Sequence, residues 1–366
     1  MYRSHLTIFA AIAATLILSL PAANLALRSY IGGPLWSYEV RDLWSLDRIE
    51  GSVAYLLMSC CDKSPYPNRV RVGQNGYLFL GDEFADVMSK ASGDWQPPAG
   101  LIDDRAARFA RLQQKVTNAG ATLAIVIAPN KHSIYPEMLP PDLTAAQQTA
   151  TDELVIRAAD MDVPILDLRP ELRRLKATAQ AYFKTDTHWT HAGAAASYDS
   201  IMEILRDHQG GRVTPVSYTL APVDRPASDL TVLLKMQDMF GPAHETDYDI
   251  SFAEPLKMCL STISLISGDE SECEATSNGD VSVEDRSIKV TRTENAPNDQ
   301  TLLMLCDSFC AASSSLFNAS FKTVYRVHWN YLDDAALNRN LETLAPDIVV
   351  LQVVERDVLA VSLGLN

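Results

Sequence analysis

Two runs of the chain, Ala121-Thr-Leu-Ala-Ile-Val-Ile-Ala128 and Asp347-Ile-Val-Val-Leu-Gln-Val-Val354, are apolar almost without interruption. A strand with one wet face alternates polar and apolar residues, so such runs are strands buried on both faces, the mark of a parallel sheet covered by helices. The neighbouring segments have helical spacing. Ile102, Ala106, Phe109, Leu112 and Val116 share one face of a helix over 102–118 that ends near Gly120. Further helices are predicted over 144–159, from Pro170, and over 191–205, 308–317 and 333–344, with strands over 163–168, 301–306 and 322–328. This alternation predicts an α/β fold, a mostly parallel doubly wound sheet between two helical layers, with its site outside the carboxyl ends of the strands.

Two short stretches fall at such ends. In Tyr182-Phe-Lys-Thr-Asp-Thr-His-Trp-Thr-His191, Asp186 and His188 are two positions apart, which in extended backbone places both on one side. A carboxylate there fixes the imidazole tautomer, as a general base requires. Downstream, Leu302-Leu-Met-Leu-Cys-Asp-Ser308-Phe breaks from an apolar run into Asp-Ser before helix-compatible residues, a strand, a sharp turn and a helix with a hydroxyl at the turn. Asp307 and Ser308 are also good helix caps, and Asp-x-His is often only a hydrogen-bonded pair. Together the two stretches predict a Ser308, His188, Asp186 triad for acyl transfer.

The remainder sets limits. Residues 6–27 carry no charge and are long enough to cross a bilayer, so 1–27 reads as an uncleaved membrane anchor or a signal peptide, with Pro21-Ala-Ala23 resembling a cleavage site. Residues 28–69 read as a connector, and 70–366 as the main domain with an insertion at about 210–299, rich in Ser, Thr, Asp and Glu and holding strand-like pieces such as Leu230-Thr-Val-Leu-Leu. Asn75-Gly76 between short apolar segments predicts a hairpin. A formal charge of −15 without a basic run argues against nucleic acid. No cofactor motif and no zinc spacing is present, so neither cofactor nor metal is expected. Of the six cysteines, Cys259 and Cys273 bracket a polar loop and suit a disulfide, and the adjacent Cys60 and Cys61 are expected to pair elsewhere. Cys306 and Cys310 flank Ser308 and read as packing.

Gly76-Tyr-Leu-Phe-Leu80, Ala128-Pro-Asn-Lys-His-Ser-Ile-Tyr-Pro-Glu-Met-Leu-Pro140, Thr185-Asp-Thr-His-Trp-Thr-His-Ala-Gly193, Cys306-Asp-Ser-Phe309 and Val354-Glu-Arg-Asp357 together resemble the SGNH hydrolase-like acetyltransferases of alginate O-acetylation, the AlgJ and AlgX type. The resemblance implies an SGNH-like αβα fold with Asp186 as orienter, His188 as base and Ser308 as nucleophile. It also implies acetylation of an exported polysaccharide, alginate or a similar exopolysaccharide, by a periplasmic protein tethered to the inner membrane and supplied by a membrane-bound acyltransferase. Related chains often have Gly where this one has Cys306, which crowds the turn beside an oxyanion hole built on the Ser308 N–H. Lys131, Tyr135, Trp329 and Arg356 are candidate glycan contacts, with strand-end packing as the alternative. Lys131, Lys184, Arg326 and Arg356 are candidates for a basic cleft that would let a polyanion approach a chain of net −15. An SGNH-type acetylesterase, or a non-catalytic glycan-binding component of a secretion complex, is the alternative function.

Overall fold

A computed structural model describes residues 14–15, 18–27, 43–227, 229–237, 243–276 and 279–365. The expected anchor or signal segment over 1–27 and the first part of the connector lie largely outside them. Among the described residues no helix is long and apolar enough to cross a membrane.

Eight strands form the central sheet. Five are parallel: β3 (Thr122–Ala128), β4 (Ile165–Asp167), β10 (Asn298–Cys306), β11 (Phe321–His328) and β12 (Ile348–Val354), in the order β4-β3-β12-β10-β11. Beyond β11 the sheet continues antiparallel through β9 (Ser287–Thr293), β7 (Met258–Ser264) and β8 (Glu274–Thr276). The expected insertion therefore supplies an antiparallel wing of the sheet. It also carries a separate hairpin of β5 (Tyr218–Ala227) and β6 (Ala243–Phe252), and a short helix α8 (Asp229–Leu233). Leu230 to Leu234, strand-like by composition, are helical or turn because Asp229 opens a helix there and Leu230 and Leu234 pack on its inner side. A small hairpin of β1 (Val70–Val72) and β2 (Leu78–Leu80) lies apart from the sheet, and Asn75 and Gly76 both take the left-handed conformation its turn demands.

Alternation along the parallel strands makes two cores. On β10, Leu302, Met304 and Cys306 face one, and Leu303 and Leu305 the other; β12 and β3 divide in the same way. The first core is roofed by α7 (His191–His208), through Tyr198, Ile201, Met202 and Leu205. The second is covered by α3 (Leu101–Asn118), α5 (Ala150–Ala159) and α10 (Asp334–Leu344), through Phe109, Leu112, Leu154 and Leu337. Helix α5 starts six residues later than its periodicity suggests, because Thr149 and Asp152 form a reciprocal capping box that sets its first turn.

Burying one of these aliphatic side chains contributes about 1.5–3 kcal/mol, and removing it leaves a void that the sheet cannot collapse into. Leu305→Ala, at the centre of β10, is expected to lower unfolding stability by about 2–5 kcal/mol, read as a lower urea midpoint with an unchanged slope.

Candidate active site

Ser308 follows β10 after one residue, Asp307, and opens a 3-10 helix over Ser308–Ser313. Asp307 caps that helix through Oδ1, which accepts the Phe309 N–H at 3.1 Å, while Oδ2 accepts the Val354 N–H at 2.7 Å and ties the turn to β12. The N–H of Ser308 lies in the first turn of that helix, which has no intrahelical acceptor to offer it. Cys306 and Cys310, read as packing residues, form a disulfide that closes this turn around Ser308, and both are fully buried. Cys259 and Cys273 pair as expected. Cys60 and Cys61 pair with each other rather than elsewhere, and nothing in the structure explains that pair.

Asp186 and His188 lie on a bend between an isolated bridge of Tyr182 and Trp189, not on an extended strand. They still meet, because Asp186 Oδ1 accepts both the backbone N–H of His188 at 3.0 Å and its Nδ1–H at 2.8 Å. This side-chain turn achieves what the strand spacing was expected to achieve. An ionised carboxylate can only accept, so Nδ1 carries the proton and Nε2 is left to accept from the Ser308 hydroxyl, 2.9 Å away. Trp189 joins the two halves, its indole N–H donating to the Phe309 carbonyl at 3.0 Å.

Electrostatics favour a charged acid and a basic imidazole. Burial opposes ionisation of Asp186, but the hydrogen bond and charge of His188 and the backbone N–H groups of His188 and Asp229 outweigh it and hold the carboxyl well below its ordinary range. Burial likewise opposes the imidazolium of His188, yet the bond and charge of Asp186, with Asp229 behind, raise its pKa. Asp229 has no counterpart in the sequence reading. Its Oδ1 accepts the Thr187 N–H at 2.7 Å, its own N–H donates to Asp186 Oδ2 at 3.1 Å, and its Oδ2 lies 3.6 Å from His188 Nδ1. Asp186, His188 and Asp229 bring polar atoms within 4.8 Å of one another, but His188 spends Nδ1–H on Asp186 and Nε2 on Ser308, so they form a hydrogen-bonded acid–base cluster.

The four candidate glycan contacts divide. Lys131 is buried, and its ammonium donates to the carbonyls of Phe183, Lys184 and Asp186 at 3.1, 2.9 and 2.7 Å; burial pushes its pKa down to about 8, against the pull of Asp229, Asp186 and Glu245. Tyr135 is also buried, its hydroxyl accepting the Ala181 N–H at 3.0 Å. Trp329 packs into the second core. Arg356 lies beside the triad without being bonded into its backbone as Lys131 is, its guanidinium 5.7 Å from the centre of the Phe309 ring, whose centroid is 5.0 Å from that of His188. Arg356 also lines a cleft with Lys90, Trp95, Gln96 and Ser133. The four-residue basic cleft does not form: Arg326 is buried within β11, donating to the Ser314 carbonyl at 3.0 Å, and Lys131 is enclosed.

The segment is held from the insertion as well. Glu245 on β6 accepts from the Thr185 N–H at 2.8 Å and also takes the Lys184 N–H. His191, three residues past the base, donates Nδ1–H to Asp247 at 2.7 Å, and Asp247 is bound in turn by Arg225 at 2.8 Å. Burial disfavours its imidazolium, but Asp247 and Asp280 outweigh that and push the pKa up to about 9. A base raised on folding stabilises the fold fully below its unfolded pKa, about 6.5, and the gain is lost as pH rises through about 9. The stability gap between wild type and Asp247→Asn is therefore expected to be widest near pH 6 and to narrow as pH passes about 9, read by urea unfolding at each pH. Lys131→Met leaves three carbonyls without their donor. It is expected to cost about 1–3 kcal/mol in thermal unfolding and to lower turnover at least about tenfold, because the Asp186 backbone is released.

Comparison with known proteins agrees with the resemblance read from the motifs. Residues 70–251 match the family model for the SGNH hydrolase-like domain of the acetyltransferase AlgX. The probable alginate O-acetylase AlgJ of Pseudomonas aeruginosa is 29% identical over 128 residues, 34% of this chain and 30% of that protein. AlgJ of Pseudomonas putida is 26% identical over 140 residues, 37% of this chain and 34% of that protein. These matches span about a third of each relative's length. Among solved structures, the O-acetyltransferase domain of Pseudomonas putida AlgJ superposes with a TM-score of 0.52 at 18% identity, covering 80% of this chain and 92% of that one. Bacillus cereus PatB1 superposes with a TM-score of 0.55 at 16% identity, covering 78% and 95%. At these identities the solved structures establish a shared fold, an SGNH-like α/β architecture around a central sheet.

Proposed function

We propose that this chain, similar in motif to the alginate O-acetylases and in fold to an O-acetyltransferase domain, moves an acetyl group through an acetyl-Ser308 intermediate onto a hydroxyl of an exported polysaccharide. The observation that carries the reading is the unbroken relay of Ser308, His188 and Asp186, with contacts of 2.9 and 2.8 Å, outside the carboxyl end of β10.

In the first step the Ser308 oxygen attacks the acetyl carbonyl of a donor while its proton passes to His188 Nε2. Asp186 stabilises the imidazolium, the Ser308 N–H faces the developing oxyanion, and the departing donor group takes the proton from His188. In the second step a sugar hydroxyl gives its proton to His188 and attacks the acetyl-serine carbonyl, and Ser308 leaves with that proton. The acceptor lies along the cleft beside Arg356, lined by Gln96 and by Trp95, over whose ring the Lys90 ammonium lies while donating to the Arg356 carbonyl. A net charge of −15, with Lys131 and Arg326 buried, gives a polyanion no long-range attraction, so a neutral exopolysaccharide suits this surface as well as alginate does. The charge-free N-terminal run and the disulfides support a periplasmic domain tethered to the inner membrane, beside a membrane-bound acyltransferase that supplies acetyl groups.

An acetylesterase is the second reading, because the His188 side chain is 34% exposed and water reaches the same atoms. Incubation with a chromogenic acetyl ester, with and without an oligosaccharide acceptor, separates the two. Acetylated sugar and one acetyl group on Ser308 in the intact protein's mass are expected, and Ser308→Ala is expected to lose at least about a thousandfold in rate. Free acetate alone favours the esterase, and equal rates for wild type and Ser308→Ala overturn both.

A further inference from the structure

We propose that Asp229 is a positioning residue for the base, a second carboxylate that aligns Asp186 and adds negative charge behind the Nδ1 edge of His188. The inference rests on the acyl-transfer reading of Ser308 and His188, and it brings the insertion into that chemistry.

Three contacts support it, each with a different effect. The Asp229 N–H binds Asp186 Oδ2 at 3.1 Å, so one oxygen of Asp186 is held by the insertion while the other serves His188. This fixes the rotation of the carboxylate about its last bond, which a single hydrogen bond to the imidazole leaves free. Oδ1 of Asp229 accepts the Thr187 N–H at 2.7 Å and so holds the residue between acid and base. Oδ2 stands 3.6 Å from Nδ1, too long for a hydrogen bond but close enough for a charge to be felt in a half-buried site.

Its charge follows the reaction. Burial and the negative charge of Asp186 push the Asp229 carboxyl up, and the charge of His188 pulls it down. Asp229 is therefore most fully ionised when His188 has become an imidazolium, the state that forms as Ser308 attacks. The charged groups facing this cluster are Asp186, Asp229 and Arg356 around His188, and Lys131, which acts on both carboxylates. Arg356 opposes protonation of His188, so the two carboxylates together set the balance.

The test uses the full chain and two readouts. Asp229→Asn keeps the acceptor for Thr187 and the backbone N–H but removes the charge. The His188 ring titration, followed by NMR and assigned by its absence in His188→Ala, is expected to move down by about one pH unit. The acid limb of ester turnover is expected to follow it downward, with KM for the ester unchanged, and Asp229→Glu is expected to return both toward wild type. A residue that merely holds Thr187 moves neither, so an unchanged titration and acid limb in Asp229→Asn overturn the proposal. Should that variant fail to fold, Asp229→Ser removes the same charge and retains an oxygen acceptor. The titration needs no turnover: a shift in a protein that turns over no acetyl ester, with or without a sugar acceptor, upholds the role of Asp229 and counts against the acyl-transfer reading instead.

Discussion

A buried ammonium group is costly unless each of its protons finds an acceptor, and the arrangement of this site follows from how Lys131 meets that demand. It sits just past the carboxyl end of β3 and spends its three donors on the backbone of residues 183–186. The chain there has little regular structure of its own, so the ammonium stands in for the ladder a strand would have provided. Once that backbone is fixed, the carboxylate of Asp186 has few places to go. His188 then falls into its accepting position, and Trp189, bonded to the carbonyl of Phe309, brings the segment against the turn that bears the serine. A positive charge with no part in substrate contact thereby determines where the negative one is.

The site has two kinds of support. Ser308 and Asp307 hang from the parallel strands β10 and β12, whose side chains are buried on both faces. The segment bearing the acid and base is also clasped by Glu245, at Lys184 and Thr185, by Asp247, at His191, and by Asp229, at Asp186, all from the insertion. The nucleophile belongs to the rigid sheet, while its activating pair is held between Lys131 at the end of β3 and an added layer. Such a division lets the chemistry be retuned by changes that leave the sheet intact, and it explains why a segment without obvious function in the sequence matters to the site.

Much of the fold was legible, because hydrophobic periodicity reports burial directly. The unbroken runs at Ala121 to Ala128 and Asp347 to Val354 could only be central strands, and they lie next to each other in register. The antiparallel wing was not legible. Ser261, Thr291 and Thr293 are buried polar residues on β7 and β9, so those strands lack the apolar signature. Asp186, His188 and Ser308 could be picked out because their chemistry shows in residue type and in position at strand ends. Asp229 could not, since its relation to His188 depends on how a polar insertion folds back across more than forty residues of chain. Lys131 and Tyr135 misled for the converse reason: at strand ends, a residue with a polar head looks the same in sequence whether it greets a ligand or a backbone carbonyl.

Cys306 and Cys310 give the serine turn a property of its own. The bond closes a ring of five residues with the nucleophile at its middle, and neither sulfur reaches solvent. So small a loop can be sealed early, by local encounter, before the distant strands assemble around it. After the sheet has closed over it, a dissolved reductant has no route to the sulfurs except through unfolding. The covalent history of this turn is thus written during maturation and kept afterwards, and two preparations with the same sheet can differ at the one place where the chemistry happens.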